Sequence, residues 1–241
     1  MSGAWLVLPT YNEAENLEPL VHAVLPELAA AAPEHRILVV DDNSPDGTGR
    51  IADRLAAEHD AVEVLHRAGK EGLGRAYLAG FAHALAGGAE LLLEMDADFS
   101  HDPKDVPRLI QAAADADLVL GSRYIEGGGV AGWDWHRRLL SQGGCWYART
   151  ILDVPVRDLT GGFKCFHRRV LETLDLGGIQ ADGYGFQIEM TYRTIRAALR
   201  VREIPITFHD RRAGKSKMDS RIAAEAVWKV PALRWRLRGG S

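Results

Sequence analysis

The chain has 241 residues, of which 46% are hydrophobic, so it is long enough and apolar enough to bury a full core. A formal net charge of −4 excludes nucleic-acid binding by overall charge, because phosphate-rich partners are held by cationic surfaces. The two cysteines, Cys145 and Cys165, lack CxxC spacing, which argues against a disulfide scaffold or a cysteine metal site and predicts reduced, packed thiols.

The first half of the chain alternates short apolar runs with helical patterns. We predict strands at 5–9, 36–41, 62–66 and 91–95, helices that end near residues 32 and 59, and a third helix over 74–85. This order predicts an α/β fold with a mostly parallel central sheet and helices on both faces. Each strand ends in a polar loop, and ligands of open α/β sheets bind at such carboxyl ends.

Local signals place three helix starts. Asn12 and Glu15 have the spacing of a capping box, and Pro45 after Ser44 predicts a second start. Asp102 before a proline predicts a third.

Beyond residue 117 the pattern is less regular. Strands are predicted at 118–121, 162–167 and 201–209, helices at 137–152, 169–174 and 186–198, and a glycine-rich loop at 127–132. No long linker separates these elements from the first half. We therefore expect one domain over residues 1–220, in which the second half completes the same sheet.

The C-terminal segment, residues 221–238, mixes apolar residues such as Val230 and Leu233 with arginines. This pattern predicts a basic amphipathic helix, kinked by Pro231, that either faces a membrane or packs on its own domain. Residues 239–241 are assigned to a tail or a cloning remnant. No run approaches the roughly 18 apolar residues of a membrane span, and the N-terminus lacks the pattern of a secretory signal, so any membrane role is expected to be peripheral.

The most informative polar residues are Asp96 and Asp98, which directly follow an apolar strand. Two carboxylates in one loop suit Mg²⁺ or Mn²⁺, which bind oxygen ligands and substrate phosphates. The alternative is a solvated turn before the helix capped by Asp102.

Polar and aromatic residues also follow the first two strands. Tyr11 and Glu13 follow the first, and Asp41 and Asp42 end the second. An aromatic ring, acidic groups and helix N-terminal amides at adjacent strand ends can bind a nucleotide.

Together these motifs resemble the family-2 glycosyltransferases, whose GT-A fold is Rossmann-like. Later motifs narrow the resemblance to dolichyl- or polyprenyl-phosphate mannose synthases, over roughly residues 4 to 220. These motifs are Gly121-Ser122-Arg123-Tyr124, Trp133, Arg137, Asp158-Leu159-Thr160-Gly161-Gly162-Phe163, Gly183-Tyr184-Gly185-Phe186-Gln187-Ile188-Glu189-Met190 and Arg211-Arg212-Ala213-Gly214-Lys215-Ser216-Lys217.

The resemblance implies a nucleotide site and a metal site. Its nucleotide positions are Pro9, Tyr11, Glu13, Val40 and Asp42, of which Asp42 would accept hydrogen bonds from the base. Its metal and diphosphate positions are Asp96 and Asp98, and Ala97 would contribute backbone beside the nucleotide. Some members have a Gln as third metal ligand, where this chain has Ser100.

The resemblance also implies a cationic site around the phosphates. Arg123, Arg211 and Lys217 would stabilise the leaving nucleoside diphosphate and, with Asp98, form the catalytic set. Arg137 and Ser141 are candidates for the acceptor phosphate. No general base is assigned, because an acceptor phosphate is already an anion. Asp158 and Glu189 are expected to support the site or to contact the donor sugar.

The implied function is inverting transfer of mannose from GDP-mannose to a polyprenyl phosphate, which yields a lipid-linked β-mannose donor for glycosylation. Alternatives are a polyprenyl-phosphate glucosyltransferase using UDP-glucose, a family-2 enzyme acting on a hydroxyl acceptor, and a catalytically silent nucleotide-binding subunit. The expected partners are the nucleotide sugar, the polyprenyl phosphate, and a membrane surface or small membrane subunit, with no nucleic acid. The expected location is the cytoplasmic face of the membrane, reached by the tail or by a partner.

Overall fold

A computed structural model describes residues 3–179, 183–210 and 220–238; for residues 220–226 and 238 only the backbone is described. The strands of the described residues are β1 (Ala4–Thr10), β2 (His35–Asp41), β3 (Val62–His66), β4 (Leu91–Glu94), β5 (Leu118–Ser122), β6 (Gly129–Val130), β7 (Lys164–His167), β8 (Val201–Pro205) and β9 (Thr207–Phe208). Their α-helices are α1 (Leu17–Ala31), α2 (Thr48–Glu58), α3 (Leu73–Ala86), α4 (Val106–Ala112), α5 (Trp135–Leu152), α6 (Arg168–Thr173), α7 (Tyr184–Arg196) and α8 (Ser220–Arg238), and a 3₁₀ turn covers Pro103–Asp105.

The central sheet has seven strands in the order β3-β2-β1-β4-β7-β5-β8. All neighbouring pairs are parallel except the two made by β7, which lies antiparallel between β4 and β5. The predicted α/β fold with a mostly parallel sheet is thus confirmed. The elements of the first half match their predicted positions closely, because each combines a regular apolar period with a polar loop at its end.

Two hydrophobic cores cover the two faces of this sheet. Alternate residues of β1 belong to different cores. Leu6 and Leu8 pack on the side of α1, α2 and α4, whereas Trp5 and Val7 pack on the side of α3 and α5–α8. Each such side chain contributes about 1.5–3 kcal/mol when fully buried. The helices therefore lie on both faces, and the polar strand ends remain uncovered at one edge.

The segment predicted as one strand at 201–209 forms two. β8 extends the main sheet beside β5, and after Ile206 the chain continues as β9, which pairs in parallel with β6 inside the predicted glycine-rich loop. Ile206 lies between the two strands in sequence, its backbone N–H donates to the Ser122 carbonyl, and its side chain is buried. This small second sheet forms one wall of the site described below.

Two of the three predicted helix starts are wrong. α1 begins at Leu17, and Asn12, with φ of 60°, is a loop residue whose N–H donates to the Ser44 hydroxyl at 3.1 Å. α2 begins at Thr48, after Gly47 in a left-handed conformation, so Pro45 also lies in a loop. These loops are tied to each other and to the first residue of α2, since the Glu13 N–H donates to the Thr48 hydroxyl at 2.9 Å. The third start is confirmed, since the Asp102 side chain accepts the Lys104 N–H at 3.0 Å.

Helix α8 packs on α5 and α7 and runs through Pro231. Val230 and Leu233 are buried, Arg236 pairs with Glu189 of α7 at 2.5 Å, and Tyr147 of α5 donates to the Val227 carbonyl at 2.8 Å. Division of the chain into 1–220 and 221–238 stays a prediction. Within the ranges described, the structure contains no helix with the length and apolarity needed to cross a membrane.

Candidate active site

A cavity of about 400 Å³ lies at the carboxyl ends of the parallel strands, bounded by α3, α5, α7 and the β6–β9 sheet. It collects residues from distant parts of the sequence. The predicted site residues that line it are Pro9, Tyr11, Glu13, Asp42, Asp96, Ala97, Asp98, Ser100, Arg123 and Arg137. Val40 and Ser141 do not line it, and Arg211 and Lys217 lie outside the described residues.

One end of the cavity carries the predicted nucleotide residues. Asp42 is buried and its Oδ1 accepts from Arg67 Nη1 at 2.5 Å; burial raises the pKa of Asp42, an effect that the Arg67 charge opposes. Lys70 Nζ lies 4.3 Å from the centroid of the Tyr11 ring. Sequence reasoning missed Arg67 and Lys70, although both follow the third predicted strand. This end therefore offers an aromatic ring and a carboxylate held in place by an arginine.

Asp41 and Val40 support this end from behind. The Asp41 carboxylate accepts hydrogen bonds from the hydroxyls of Thr10 and Ser44, at 3.2 and 2.6 Å, so it fastens the two loops together. The Val40 side chain is fully buried in the core beside α3. It contributes to packing and not to the cavity lining.

The two predicted metal residues lie midway along the cavity. Asp98 is buried and its Oδ1 accepts the Ser100 N–H at 3.0 Å, across a turn in which Phe99 has a φ of 61°. A positive φ is strained for a bulky residue, and such strain is typical of functional loops. The buried Ser100 hydroxyl has no hydrogen-bond partner among the described residues. Asp96 is partly exposed and accepts from Tyr77 at 3.5 Å.

These groups suit a hard divalent cation that is completed by substrate phosphates. Two carboxylates and an unpartnered hydroxyl are oxygen donors, as Mg²⁺ and Mn²⁺ prefer. Where the chain is described, no three His, Cys, Asp or Glu side chains converge on one point. A closed, all-protein metal cage is not what this loop provides.

His101 lies next to this loop and was not singled out from sequence. It is buried, its ring stacks on Phe163 with centroids 4.8 Å apart, and its Nε2 is 3.8 Å from Asp96 Oδ2. Neither ring nitrogen has a hydrogen-bond partner among the described residues. The signal in the sequence was its place directly after Ser100, at the end of the same loop.

Arg123 is held rigidly at the far side of the cavity. Its Nε and Nη2 each donate to the Asp158 carboxylate at 2.7 Å, and Nη2 also donates to Thr160 at 2.8 Å. Burial would raise the pKa of Asp158, but the Arg123 charge and hydrogen bonds outweigh burial and hold that pKa below its usual value. Asp158 is fully buried and does not line the cavity, so it positions Arg123 and makes no contact of its own with a ligand there.

The predicted acceptor residues lie one helical turn apart on the inner side of α5. Arg137 pairs with Asp210 at 3.0 Å and lies 4.2 Å from the Trp133 ring centroid. The Ser141 hydroxyl accepts from Tyr124 at 2.6 Å, and Ser141 is not among the residues that line the cavity. Only Arg137 of the pair reaches the cavity.

Residues 5–175 match the family model described as Glycosyl transferase family 2. The chain belongs to glycosyltransferase family 2. Its predicted enzyme class is thereby confirmed. It is 48% identical over 231 residues to an undecaprenyl-phosphate mannosyltransferase of Micrococcus luteus, covering 96% of this chain and 93% of that protein. It is also 48% identical over 236 residues to a polyprenol monophosphomannose synthase of Mycolicibacterium smegmatis, covering 97% and 87%.

Solved structures agree on the fold. Glucosyl-3-phosphoglycerate synthase from Mycobacterium tuberculosis, in complex with phosphoglyceric acid, superimposes with a TM-score of 0.71 at 18% identity, over 97% of this chain and 80% of that one. The same enzyme with Mn²⁺, uridine diphosphate and glucosyl-3-phosphoglycerate gives a TM-score of 0.71 at 19% identity, with the same coverage. At this identity the likeness concerns the fold alone, and the predicted GT-A fold is confirmed.

Beneath Asp96, this family-2 glycosyltransferase has a buried polar cluster that sequence reasoning missed. Glu94 and Lys164 are register partners on β4 and β7, and Lys164 Nζ donates to the backbone carbonyl of Gln187 at 2.9 Å. Burial raises the pKa of Glu94 to about 7, although the Lys164 charge and the Gln187 amide both act to lower it. Burial lowers the pKa of Lys164 to about 8. The signal was a charged residue in each of two otherwise apolar central strands.

Glu189 does not take the role that its motif suggested. It is buried on the side of α7 that faces α8, where its Oε1 accepts from Arg193 at 2.8 Å and from Arg236 at 2.5 Å. It is absent from the cavity lining. Glu189 therefore fastens α8 to α7, and the residues of this motif that line the cavity are Gly183, Tyr184 and Gln187.

Proposed function

We propose that this glycosyltransferase transfers mannose from GDP-mannose to a polyprenyl phosphate. The observation that carries the proposal is the near full-length 48% identity to two relatives that are named for this chemistry. The cavity supports it with an order of groups that fits the reaction. The strand order puts Asp42 and Tyr11, after β2 and β1, on one side of the two aspartates after β4. Arg123 after β5 lies on the other side, and Arg137 lies over the same Trp133 ring as Arg123. That order matches a base, a diphosphate and an acceptor phosphate.

The donor would bind with Mg²⁺ or Mn²⁺ at Asp96 and Asp98, with the Ser100 hydroxyl close enough in sequence to contribute directly or through water. When bound, the cation would neutralise charge on the leaving diphosphate. Arg211 and Lys217 keep their predicted roles as phosphate-binding cations within this proposal.

The chain's own groups would act mainly by positioning. An oxygen of the acceptor phosphate attacks C1 of the sugar from the side opposite the diphosphate, the new C1–O bond forms as the bond to the diphosphate breaks, and GDP leaves with the bonding electrons. The anomeric centre is inverted. The attacking oxygen carries no proton to be removed, so no carboxylate base is required. Arg123, locked by Asp158, presents a fixed positive charge that needs no reorganisation during the reaction.

A radiolabelled-sugar transfer assay tests the proposal, with a panel of donors, Mg²⁺ or Mn²⁺, and a polyprenyl phosphate. We expect lipid-linked product from GDP-mannose, and at least a 100-fold loss in Asp98→Asn. Asp115→Asn, at an exposed aspartate outside the cavity, is the matched control and should retain activity. Transfer from UDP-glucose alone would refute the mannose assignment, and GDP binding without transfer from any donor would favour a silent subunit.

We propose further that the enzyme works peripherally at the cytoplasmic face of the membrane, with one apolar surface docked on the bilayer. The surface consists of Trp135, Leu139, Leu140 and Trp146 on α5 with Trp228 and Trp235 on α8, and is called the tryptophan face below. Its four tryptophans are 63 to 83% exposed, whereas Trp5 and Trp133 are buried. On α8, Val230 and Leu233 face the core while the two tryptophans lie opposite, so both sides of this helix are apolar.

Charge and position favour a lipid bilayer as the occupant. The sequences of α5 and α8 together contain eight lysines or arginines and one acidic residue, in a chain whose net charge is −4. Exposed tryptophans flanked by basic residues are typical of the membrane interface, which attracts cations through anionic lipids. Arg137 lies on the inner side of the helix that carries Trp135 and Leu139, within about 10 Å of that face. An acceptor phosphate at Arg137 would thus have its chain close to the bilayer.

Flotation with vesicles of phosphatidylcholine, with and without phosphatidylglycerol, tests this surface. We expect binding that increases with anionic lipid, tryptophan quenching by brominated lipids, and a severalfold loss of binding in Trp146→Gln/Trp235→Gln. Lys104→Gln, at an exposed residue on the opposite side of the sheet, is the control. If the wild-type protein does not bind vesicles but binds a membrane protein through the tryptophan face, the bilayer assignment is wrong.

A further inference from the structure

The side-chain amide of Gln187 borders the cavity and makes no hydrogen bond of good geometry with the described residues. Gln187 lies in the first turn of α7, is 2% exposed, and lines the cavity. Neither Oε1 nor Nε2 meets hydrogen-bond geometry with any described residue, although the amide lies close enough to the buried Glu94 carboxylate to lower the pKa of that group. Burying an amide without hydrogen bonds costs about 1–3 kcal/mol of folding free energy. A ligand that hydrogen-bonds the Gln187 amide would remove this cost.

The backbone at this position is firmly fixed. The Gln187 carbonyl accepts from Lys164 Nζ at 2.9 Å and from the Thr191 hydroxyl at 3.0 Å, and both donors are fully buried. The Lys164 bond holds the start of α7 against β7, and the Thr191 bond lies within α7 itself. The amide therefore has a defined location at the cavity wall, as a group that recognises a ligand requires.

Gly162 leaves open the space that the amide faces. A Cβ at Gly162 would lie 3.4 Å from Gln187 Nε2 and 3.8 Å from both carboxylate oxygens of Asp96. The amide and the Asp96 carboxylate thus border one small volume above a residue without a side chain. Because β7 lies between β4 and β5 in the sheet, this volume at the start of β7 lies between the aspartate pair after β4 and Arg123 after β5. In the proposed reaction the sugar of a bound donor would extend through it toward the acceptor.

We infer that the Gln187 amide hydrogen-bonds a hydroxyl of the donor sugar and helps to determine which sugar is transferred. The inference rests on the proposed function for the identity of the donor. An amide offers one donor and one acceptor group, and a sugar hydroxyl can satisfy either. A fixed amide can hydrogen-bond the hydroxyl in one orientation only. With the epimeric sugar the buried amide would be left without that hydrogen bond, so the enzyme would discriminate between the two sugars.

A chemical double-mutant cycle tests the inference. Wild type and Gln187→Met are each assayed for kcat/KM with GDP-mannose and with its 2-, 3-, 4- and 6-deoxy analogues. We expect the kcat/KM of wild type to be about tenfold lower with one deoxy donor than with GDP-mannose. We expect Gln187→Met to have a kcat/KM about tenfold lower than wild type with GDP-mannose, and no further decrease with that same deoxy donor. Equal discrimination by both proteins across all four analogues would overturn the inference, as would a wild type that loses less than twofold on every analogue.

Controls separate recognition from folding. Gln111→Met, at an exposed glutamine of α4, should match wild type in every arm, and Thr191→Val removes a hydrogen bond to the Gln187 backbone while leaving the amide. GDP affinity measured by calorimetry should change less than twofold in Gln187→Met. If Gln187→Met is unfolded, the same cycle is run with the isosteric Gln187→Glu, which loses the donor group.

The donor panel keeps this inference distinct from the proposed function. If wild type uses UDP-glucose and not GDP-mannose, the mannose assignment fails, and the cycle is repeated with deoxy analogues of UDP-glucose. A deoxy-sensitive wild type with an insensitive Gln187→Met would then still support the role of Gln187.

Discussion

Arg123 and Asp158 form a two-point ion pair inside the protein, with Nε and Nη2 of the guanidinium each 2.7 Å from a different carboxylate oxygen. Both side chains are at least 95% buried. Removing one charge of such a pair leaves the other without compensation in a region that water does not reach.

Asp158→Asn is therefore expected to lower the free energy of unfolding by about 3–5 kcal/mol, measured by urea denaturation. The surface pair of Asp115 and Arg202, 3.6 Å apart, provides the control, since Asp115→Asn should cost less than about 1 kcal/mol. Equal stability of the two variants would contradict the importance of the buried pair. Where Asp158→Asn folds, activity should also fall, because Arg123 is no longer held.

Gly162→Ala is expected to reduce kcat/KM for the nucleotide sugar by at least about tenfold, because a methyl group would occupy the space beside Gln187 and Asp96. The melting temperature should stay within about 2 °C, since the nearest atom is 3.4 Å away and no backbone strain is introduced. Gly144→Ala is the matched control, because a Cβ at Gly144 would have no atom within 4 Å. Both variants are assayed in detergent. Unchanged kinetics in Gly162→Ala would place the sugar elsewhere.

Lys164 predicts a pH dependence of stability. Burial lowers its pKa to about 8, against the attraction of Glu94, whereas a lysine in the unfolded chain has a pKa of about 10.4. Between these values the unfolded chain binds a proton that the folded chain does not, so this lysine makes stability rise with pH from about 8 to about 10.4, by up to about 3 kcal/mol.

Lys164→Met should abolish that rise, seen as a flatter free energy of unfolding across pH 8 to 10 in urea titrations relative to wild type. Lys104→Met, at an exposed lysine, should track the wild-type profile. Parallel profiles for wild type and Lys164→Met would show that the buried lysine keeps its ordinary pKa.

Arg236→Gln is expected to loosen α8 from α7, because Glu189 would lose the partner that joins the two helices. Hydrogen exchange of the α8 amides should accelerate severalfold while that of the central strands is unchanged. Arg196→Gln, at an exposed arginine of α7, is the control. Unaltered exchange in α8 would mean that Val230 and Leu233 suffice to hold it.

Local chemistry explains which expectations held. The strands and helices from β1 to β4 follow apolar periods of a few residues, and Asp96 and Asp98 were recognisable because they directly follow β4. Parallel strands bring their carboxyl ends to one edge, so the meeting of Tyr11, Asp42 and Asp98 in one cavity could be foreseen. The capping box at Asn12 failed because its loop bonds to Ser44, 32 residues away.

The fold class, the family motifs and most of the cavity residues can be predicted from the amino-acid sequence, since these depend on short periods and on residues next to strand ends. Four features could be seen only in the folded chain: β7 runs antiparallel, Asp158 holds Arg123, Glu189 faces α8 and Gln187 faces the cavity. These outcomes depend on contacts between residues 35 or more positions apart, or on which side of a helix meets a neighbouring element. Spacing along one chain does not specify such contacts, because long-range packing chooses among partners that are locally equivalent.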